Sequence, residues 1–376
     1  MSLRSFRFDP SLTREFIAFG GSLYAGGARR VPPFRREIVR QLSPDFYFYQ
    51  RAGNDHRRFL AYRAGRVAGR IAAMVNAEIR DGDRLPVGLV GFYECVDDDG
   101  VAAELLAAAR EWLRTEHGVR RIRGPMNFDF WHGYRFLTKG FDREPYYGEP
   151  DNPAYYPEQF ELGGFAPLRA WNSIEINGRE KLEALIAPWR KRHELLLERG
   201  YRFVPATRLD LRKEWPALHG LIDRSFDGFP DYTPIPFTEF KALLSGVGFA
   251  LAADVSGFVY DQAGRAVSFG VIFRDLAGAV RAMNGRITPL GALRFLSRLR
   301  KRRRFNFFAA GSLPEEEARG TGVGRAGFFA MIDESLRRGY SDFIFAQMPK
   351  DQPIQAFFRR LKIEPQREYT LYEREA

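Results

Sequence analysis

The stretch that decides the fold runs from Phe305 to Arg325 and reads FNFFAAGSLPEEEARGTGVGR. Its first part, Phe305–Ala310, is a short apolar run that predicts a buried strand. The residues that follow, Gly322–Arg338, have the apolar spacing of an amphipathic helix that ends at Gly339. Between the two lies Arg319-Gly320-Thr321-Gly322-Val323-Gly324. The stretch therefore predicts a strand, a glycine-rich turn and a helix in direct succession.

This turn has the composition of an anion-binding site. Glycine lets the backbone approach a ligand closely and adopt a positive φ. The N-terminus of a helix offers unpaired N–H groups and a partial positive charge, and Arg319 and Arg325 add charge of the same sign. The pattern predicts a cradle for a phosphate or diphosphate, with a glycine-rich helix cap that binds nothing as the alternative. A Walker motif and a dinucleotide fingerprint are both excluded by the spacing.

Composition excludes several classes of protein and of site. The 376 residues include 34 Phe, 16 Tyr and 5 Trp, far too many for a mainly disordered chain. The single cysteine, Cys95, excludes an internal disulfide and a cysteine-rich metal site, and we interpret it as a small buried apolar residue. The five histidines lack metal-ligand spacing, so we expect no metal.

The positive charge is concentrated in the second half of the chain. The formal net charge is +11, of which residues 1–178 carry +2 and the remainder +9. An anionic partner is therefore expected in the second half: a phosphorylated cofactor, an acidic metabolite, nucleic acid or an anionic lipid surface. The N-terminus has no apolar signal segment and no window is apolar enough to span a membrane. We therefore expect a cytoplasmic protein.

Both halves repeat one order of predicted elements, which is helix, strands, helix, strand, helix, strand. The first half predicts strands at 59–62, 67–75, 89–95 and 171–176 and a helix at 101–116 capped by the acidic residues 97–99. The second half predicts helices at 216–226, 290–302, 322–338 and 354–361 and strands at 249–253, 258–260, 266–273, 305–310, 342–347 and 367–373. Such alternation favours an α/β (α+β) fold with a mixed, mostly antiparallel sheet flanked by helices. A boundary at Asn177-Gly178, followed by a linking helix over 179–200, divides the chain into domains 1–178 and 179–376.

The turn resembles the diphosphate loop of the GNAT superfamily of acyl-CoA-dependent N-acyltransferases, which reads Arg/Gln-x-x-Gly-x-Gly/Ala between a strand and a helix. The resemblance covers residues of roughly 200–376. It implies two tandem GNAT-like domains, with acetyl-CoA or another acyl-CoA as co-substrate and a small-molecule amine as acceptor. The cofactor-binding residues that it implies are Arg319, Gly320, Thr321, Gly322, Val323, Gly324 and Arg325.

The same resemblance implies catalytic roles and two departures. A backbone amide near Phe308–Ala310, which we place at Ala309, would stabilise the oxyanion of the transition state. Glu316–Glu317 look like an insertion before the loop. In the family, a tyrosine on the helix that matches 354–361 often serves as the general acid, but here Phe357-Phe358 occupy that position. Tyr372 or Tyr369 is therefore expected to serve as general acid if one is needed.

The first half is similar to a second GNAT module that has lost its donor site. The expected loop is absent, because the chain after Glu94 continues as VDDDGVAAELL, and three aspartates repel a diphosphate. The strand 171–176 would be this module's last. The segments Gly124-Pro125-Met126-Asn127, 139–142 and Asn152-Pro153 further resemble uncharacterised bacterial tandem-GNAT proteins.

Three segments keep two interpretations each. The aromatic segment 128–134, which includes His132, lines an acceptor pocket together with Tyr146, Tyr147, Tyr155 and Tyr156, or belongs to the core. Glu315–Glu317 supply a general base or form a solvated acidic turn. The basic run Arg298–Arg304 contacts the 3′-phosphate of CoA, tRNA or anionic lipid, or is a solvated helix end.

The function expected from the resemblance is transfer of an acyl group, acetyl included, from acyl-CoA to an amine. Two alternatives remain. A Fem-type tRNA-dependent aminoacyltransferase also has tandem GNAT-like modules and suits the basic half, but such enzymes usually lack the intact loop. A non-catalytic acyl-CoA-binding protein is the other.

Overall fold

The computed structural model describes residues 1–24, 30–283, 288–299, 304–352 and 354–376. The first half contains β1 (Ser2–Phe6), α1 (Pro10–Ser22), α2 (Arg35–Gln41), α3 (Tyr47–Gln50), β2 (Asp55–Arg63), β3 (Arg66–Arg80), β4 (Pro86–Cys95), α4 (Asp99–His117), β5 (Arg121–Gly124), β6 (Phe136–Lys139), α5 (Tyr155–Leu162) and β7 (Ala166–Asn177).

The second half contains α6 (Arg179–Ile186), α7 (Arg190–Glu198), β8 (Arg202–Pro205), α8 (Leu211–Phe226), α9 (Phe237–Val247), β9 (Gly257–Tyr260), β10 (Ala266–Arg274), α10 (Ala277–Met283), α11 (Pro289–Leu299), β11 (Arg304–Ser312), α12 (Pro314–Ala318), α13 (Val323–Arg337), β12 (Asp342–Pro349), α14 (Ile354–Arg360) and β13 (Arg367–Glu375).

These strands form one continuous sheet in the order β1-β2-β3-β4-β5-β13-β7-β12-β11-β10-β9-β8, with β6 paired to β13. The β4/β5 and β11/β12 pairs are parallel, and the other pairings of the described strands are antiparallel. The predicted fold class, a mixed and mostly antiparallel sheet flanked by helices, is confirmed.

The two halves exchange strands at the centre of this sheet. The last strand of the chain, β13, lies between β5 and β7, with Tyr372 opposite Gly124 and Tyr369 opposite Trp171. On its other side β7 pairs with β12, where Ile174 lies opposite Phe345. The final strand of the second half therefore completes the sheet of the first half.

One structural unit occurs in both halves. In each, a strand leads through a turn to a helix and then to a parallel neighbouring strand, as β4-α4-β5 and as β11-α13-β12. The helix packs on the sheet through an apolar face. In α4 this face contains the predicted residues Leu105, Leu106, Ala109, Trp112 and Leu113, all buried. The repeat places the start of α4 and the start of α13 at comparable positions beside their strands.

Two predicted elements differ from the structure. The apolar run 249–253 forms a helical turn at Gly248–Ala250 and a single β-bridge rather than a strand. An apolar run this short fits the helical period and the strand period equally well. The linking helix over 179–200 is interrupted by a 3-10 turn at Ala187–Trp189. Pro188 has no backbone N–H to continue the helix.

Candidate active site

The glycine-rich turn leads directly into α13 without a side-chain cap. Gly322 occupies the N-cap position with a φ of 72° and Gly320 has a φ of 61°, so both adopt the left-handed conformation that glycine tolerates best. The hydroxyl of Thr321 donates to the carbonyl of Glu316 at 3.1 Å, and Val323 is wholly buried. The predicted residues 319–325 therefore form one tight turn, to which Val323 contributes its backbone only.

Three backbone amides at this turn are free to bind an anion. In the part of the chain that the structure describes, the N–H groups of Gly322, Gly324 and Arg325 have no intramolecular acceptor. Those of Thr321 and Val323 do have acceptors, the Glu316 carbonyl at 3.2 Å and the Thr321 hydroxyl at 3.3 Å. Free amides at a helix N-terminus, where the helix dipole is positive, are the arrangement that binds phosphates in many proteins.

Charged side chains surround the turn. Arg325 is exposed and lines the adjacent cleft, whereas Arg319 pairs with the buried Glu316 at 3.1 Å. Arg192 of α7 lies against Gly322, because a Cβ built on that glycine would be 3.3 Å from the Arg192 Nε. The carboxylate of Glu317 accepts from the Ser312 hydroxyl beside Gly324. The turn therefore lies between two arginines, Arg192 and Arg325, and one carboxylate, Glu317.

The strands β11 and β12 separate just beside this turn. Their parallel pairing runs from Arg304 opposite Asp342 to Phe307 opposite Phe345 and then stops. Phe308 is a bulge, since Phe307 and Ala309 pair with successive residues of β10. On β12, the non-glycine residue Gln347 has a φ of 50°, a conformation that tends to occur at functional sites. The backbone of 308–310 therefore borders an opening between the strands, where Ala309 is predicted to act.

The opening belongs to a cleft of about 2700 Å³ between the two halves of the chain. Its walls include Ala309, Gly324 and Arg325 from the second half and part of the aromatic segment from the first half. Phe130, Trp131, His132 and Tyr134 of that segment line the cleft, while Phe128 lies in the core. Ligand pockets are usually about 300–1,000 Å³, so this cleft has room for two large substrates.

A buried carboxylate, Glu149, lies beside the opening. Its Oε1 accepts from the Arg367 Nε at 2.9 Å and from the Tyr369 hydroxyl, and its Oε2 accepts from the Tyr146 amide at 3.0 Å. Burial raises the pKa of Glu149 to about 7, although Arg367 opposes the shift. The neighbouring Gly148 carbonyl accepts from the Gln347 side chain at 3.5 Å. A carboxyl with this pKa takes up and releases protons near neutral pH.

Hydrogen bonds connect Glu149 to the separated strand. The Tyr369 hydroxyl contacts both Glu149 and the Ser173 Oγ, the latter at 3.0 Å. The Ser173 Oγ in turn accepts from the backbone amide of Gln347 at 2.9 Å. The cluster thus holds Glu149 against β12 at the point where the strand leaves β11. Sequence reasoning named Tyr369 and missed Glu149, which no local motif marks.

Tyr372 lies elsewhere. Its side chain is buried against Phe136 and Phe160 in the core of the first half, and its hydroxyl is 3.4 Å from Glu161. It does not line the cleft in the described part of the chain. This position argues against the general-acid role that the resemblance implied for Tyr372.

The acidic segment before the turn is a short helix, α12, rather than a solvated loop. Glu316 is wholly buried and accepts from the Tyr201 hydroxyl at 3.1 Å, and Glu315 pairs with Arg224 at 2.6 Å. Only Glu317 lines the cleft in this segment.

Cys95 is fully buried, and burial raises the pKa of its thiol to about 12, as expected of an apolar packing residue.

The matching positions in the first half are filled by the chain's own side chains. The Asp98 carboxylate accepts from the amides of Gly100 and Val101 at the start of α4, at 3.0 and 3.1 Å. Where β4 and β5 diverge, the Asn127 Oδ1 accepts from the Phe92 amide at 2.6 Å. An external anion would have to displace these groups, which gives the expected loss of a donor site in this half a physical basis.

Replacing Asp98 tests this account of the first half. Asp98→Ala is expected to lower the free energy of unfolding by about 1 kcal/mol, because α4 loses its cap, and to leave ligand binding at the glycine turn unchanged. Urea unfolding and titration calorimetry measure the two effects. Loss of ligand binding in this variant would show that the first half takes part in it.

His132, which lines the cleft, joins the two halves of the chain. Its Nδ1 lies 2.8 Å from the Asp129 carboxylate and its Nε2 lies 3.2 Å from Glu239 of α9. Glu239 also receives two hydrogen bonds of 2.6 Å from Arg40 of α2. Burial alone lowers the pKa of His132, but the two carboxylates outweigh it and raise the pKa to about 9. The imidazolium is therefore a fully paired structural cation.

This pairing makes stability depend on pH. The pKa of His132 in the folded protein, about 9, exceeds the ordinary histidine value of 6.5. The stabilisation that the paired imidazolium provides is therefore complete below pH 6.5 and is lost as the pH rises through 9. The shift corresponds to about 3 kcal/mol. Urea unfolding across this range is expected to show the decline in wild type and a flatter profile in His132→Gln. Equal profiles would contradict the assignment.

The basic run Arg298–Arg304 is described only at its ends. Arg298 is exposed at the end of α11, and Arg304 is bound to Asp275 at 2.6 Å, whereas residues 300–303 lie outside the described residues. None of the described helices combines the length and apolarity needed to cross a bilayer.

Comparison with known proteins identifies the fold. No protein-family model matches the chain. Protein YghO of Escherichia coli (strain K12) is 24% identical over 295 residues, which cover 76% of this chain and 72% of that protein. The bacterial ceramide synthase of Caulobacter vibrioides is 25% identical over 295 residues, 77% of this chain and 74% of that protein.

A tandem GNAT protein from the clavulanic acid biosynthesis pathway, solved without AcCoA, superposes with a TM-score of 0.52 at 14% identity, and the match covers 100% of this chain and 98% of that one. The tandem GNAT-like fold that the sequence resemblance implies is confirmed. The chain is thus a protein of the tandem GNAT fold, the fold of the GCN5-related N-acetyltransferases.

Proposed function

We propose that this protein is an acyl-CoA-dependent N-acyltransferase whose donor site lies in the second half. The observation that carries the proposal is the set of free amides at Gly322, Gly324 and Arg325, which open onto the cleft where β11 and β12 separate. A diphosphate matches the charge of this turn, and the separated strands offer backbone groups to an extended pantetheine arm. The filled positions at Asp98 and Asn127 support a single donor site.

The backbone bulge at Phe308 supports the role predicted for Ala309. Beyond Phe307, groups on one edge of β11 no longer face β12. An amide of residues 308–310 on that edge is placed to donate to the thioester oxygen as negative charge develops there. The strand is held on its other edge by β10, so the donor is fixed before the reaction begins.

Glu149 is our candidate for the general base. As the acceptor nitrogen forms its bond to the thioester carbon, its proton passes to the Glu149 carboxylate, and the carbon–sulfur bond then breaks to release the thiolate, which water protonates. Tyr369 and Arg367 hold the carboxylate in place. Its pKa of about 7 leaves a large fraction ionised at neutral pH.

The acyl group and the acceptor are proposed to be long and lipid-like. The walls of the cleft near the opening include apolar side chains such as Phe308, Phe328 and Met348, and 2700 Å³ exceeds what an acetyl donor and a small amine require. The similarity to a bacterial ceramide synthase points in the same direction, because a ceramide is the amide of a fatty acid and a long-chain amine.

Calorimetric titration with acetyl-CoA and with long-chain acyl-CoAs tests the donor site, and mass spectrometry of reactions with long-chain amines tests the transfer. Binding of acyl-CoA with amide formation is expected. Binding without amide formation for every amine would favour the non-catalytic alternative. Salt-sensitive binding of tRNA without binding of acyl-CoA would favour the Fem-type alternative.

A further inference from the structure

Helix α11 carries an apolar stripe that faces away from the protein. Leu290, Leu293 and Leu296 are 58%, 65% and 59% exposed. Their spacing of three places them along one side of the helix. The opposite side, with Gly291 and Phe295, faces the body of the protein. Large leucine side chains therefore occupy the outer side of this helix, where a surface helix normally carries polar residues.

The helix stands at the mouth of the cleft. The ring of Phe295 packs on that of Phe249, with 5.7 Å between the ring centroids. The rings of Phe249 and of Phe34 in the first half have centroids 6.5 Å apart. Phe249 is half exposed and lines the cleft together with Phe34. Aromatic side chains thus connect the inner side of α11, opposite the leucines, to the cleft.

Positive charge borders the stripe. Arg294 and Arg298 are exposed on the helix flank next to the leucines, and Arg35 and Arg36 are exposed at the edge of the cleft. An apolar face bordered by arginine is the pattern of helices that lie in the interface of an anionic membrane.

We infer that α11 docks this protein on the surface of a bilayer that contains anionic phospholipids. A second copy of the chain fits less well, because three leucines expose far less than the about 800 Å² per partner that a stable dimer buries. A two-fold contact would also bring the same arginines together. The leucines enter the acyl region while Arg294 and Arg298 contact the phosphates.

Docking gives lipid substrates a route into the cleft, and that consequence rests on the proposed function. A long-chain amine held in the bilayer reaches the cleft past Phe249 without crossing water. The docking itself rests on the stripe and its charges alone.

The test measures co-sedimentation with vesicles of phosphatidylcholine, with and without phosphatidylglycerol. Wild type is expected to bind the anionic vesicles, and added salt is expected to weaken binding. The triple variant Leu290→Gln, Leu293→Gln, Leu296→Gln is expected to bind at least about 100-fold more weakly. The matched control Leu162→Gln, Leu197→Gln changes exposed leucines away from α11 and is expected to bind as wild type does.

Failure of wild type to bind anionic vesicles, or unchanged binding by the triple variant, would overturn the inference. So would a concentration-dependent dimer in sedimentation velocity that the triple variant abolishes, since a second copy would then cover the stripe. Acyl-CoA titration separates the two proposals. If the wild type binds acyl-CoA but not the anionic vesicles, only the docking proposal is overturned. If it binds the vesicles but not acyl-CoA, only the proposed donor site is overturned.

Discussion

A chain that carries Gly322→Glu together with Gly324→Glu is expected to bind acyl-CoA at least about 100-fold more weakly than wild type, a loss of about 2.7 kcal/mol. Each glutamate places a negative charge at the N-terminus of α13, where the free amides and the helix dipole would otherwise attract the diphosphate. Gly322 also has a φ of 72°, so a side chain there strains the turn. Titration calorimetry measures the change.

The control for this variant is Gly264→Glu with Gly220→Glu. Gly264 has a φ of 77° and both glycines have open space around them, so the control carries the same charge and comparable backbone strain in the same half of the chain. Its acyl-CoA affinity is expected to match wild type. Equal affinities for the turn variant and wild type would exclude the turn as the donor site.

Replacing Glu149 by glutamine is expected to lower kcat by about 10²–10⁴-fold while acyl-CoA affinity changes little, because the amide cannot accept the proton of the attacking amine. In wild type, kcat/KM is expected to rise with pH and level off above an apparent pKa near 7, since only the ionised Glu149 acts as a base. Steady-state rates across this pH range measure both effects.

Glu175→Gln is the matched control, because Glu175 is the other carboxylate that pairs with Arg367 and does not line the described cleft. It removes a comparable ion pair and leaves the proposed base intact. Tyr372→Phe is expected to retain kcat as well. An equal loss of rate in Glu149→Gln and Glu175→Gln would assign Glu149 a structural role.

The local parts of the fold could be predicted from the sequence. The cap and apolar face of α4 and the turn before α13 are set by neighbouring residues. Helix α9 was not predicted and the run 249–253 was predicted as a strand, because a short apolar segment fits both the helical and the strand period. The exchange of β13 could not be predicted, since its partner Gly124 lies far away along the chain.

In the candidate site, too, some features follow from neighbouring residues and others only from the tertiary fold. Residues 319–325 form a sequence motif, whereas Arg192 reaches the turn and Glu149 reaches the cleft through the tertiary fold. The two tyrosines of β13 show that a small shift along a strand decides whether a side chain lies at the site. Tyr369 and Tyr372 are three positions apart on a strand, so they face opposite sides of the sheet. Tyr369 contacts Glu149 and Tyr372 enters the core of the first half.

The exchanged strand also bears on how such a protein evolves. The strands β5 and β7 of the first half pair with β13, and β7 also pairs with β12 of the second half. Deleting the first half would leave β13 without its neighbours and expose the edge of β12 to aggregation. The topology thus ties the two halves of the chain together, and we expect selection to act on the pair as a single hereditary unit.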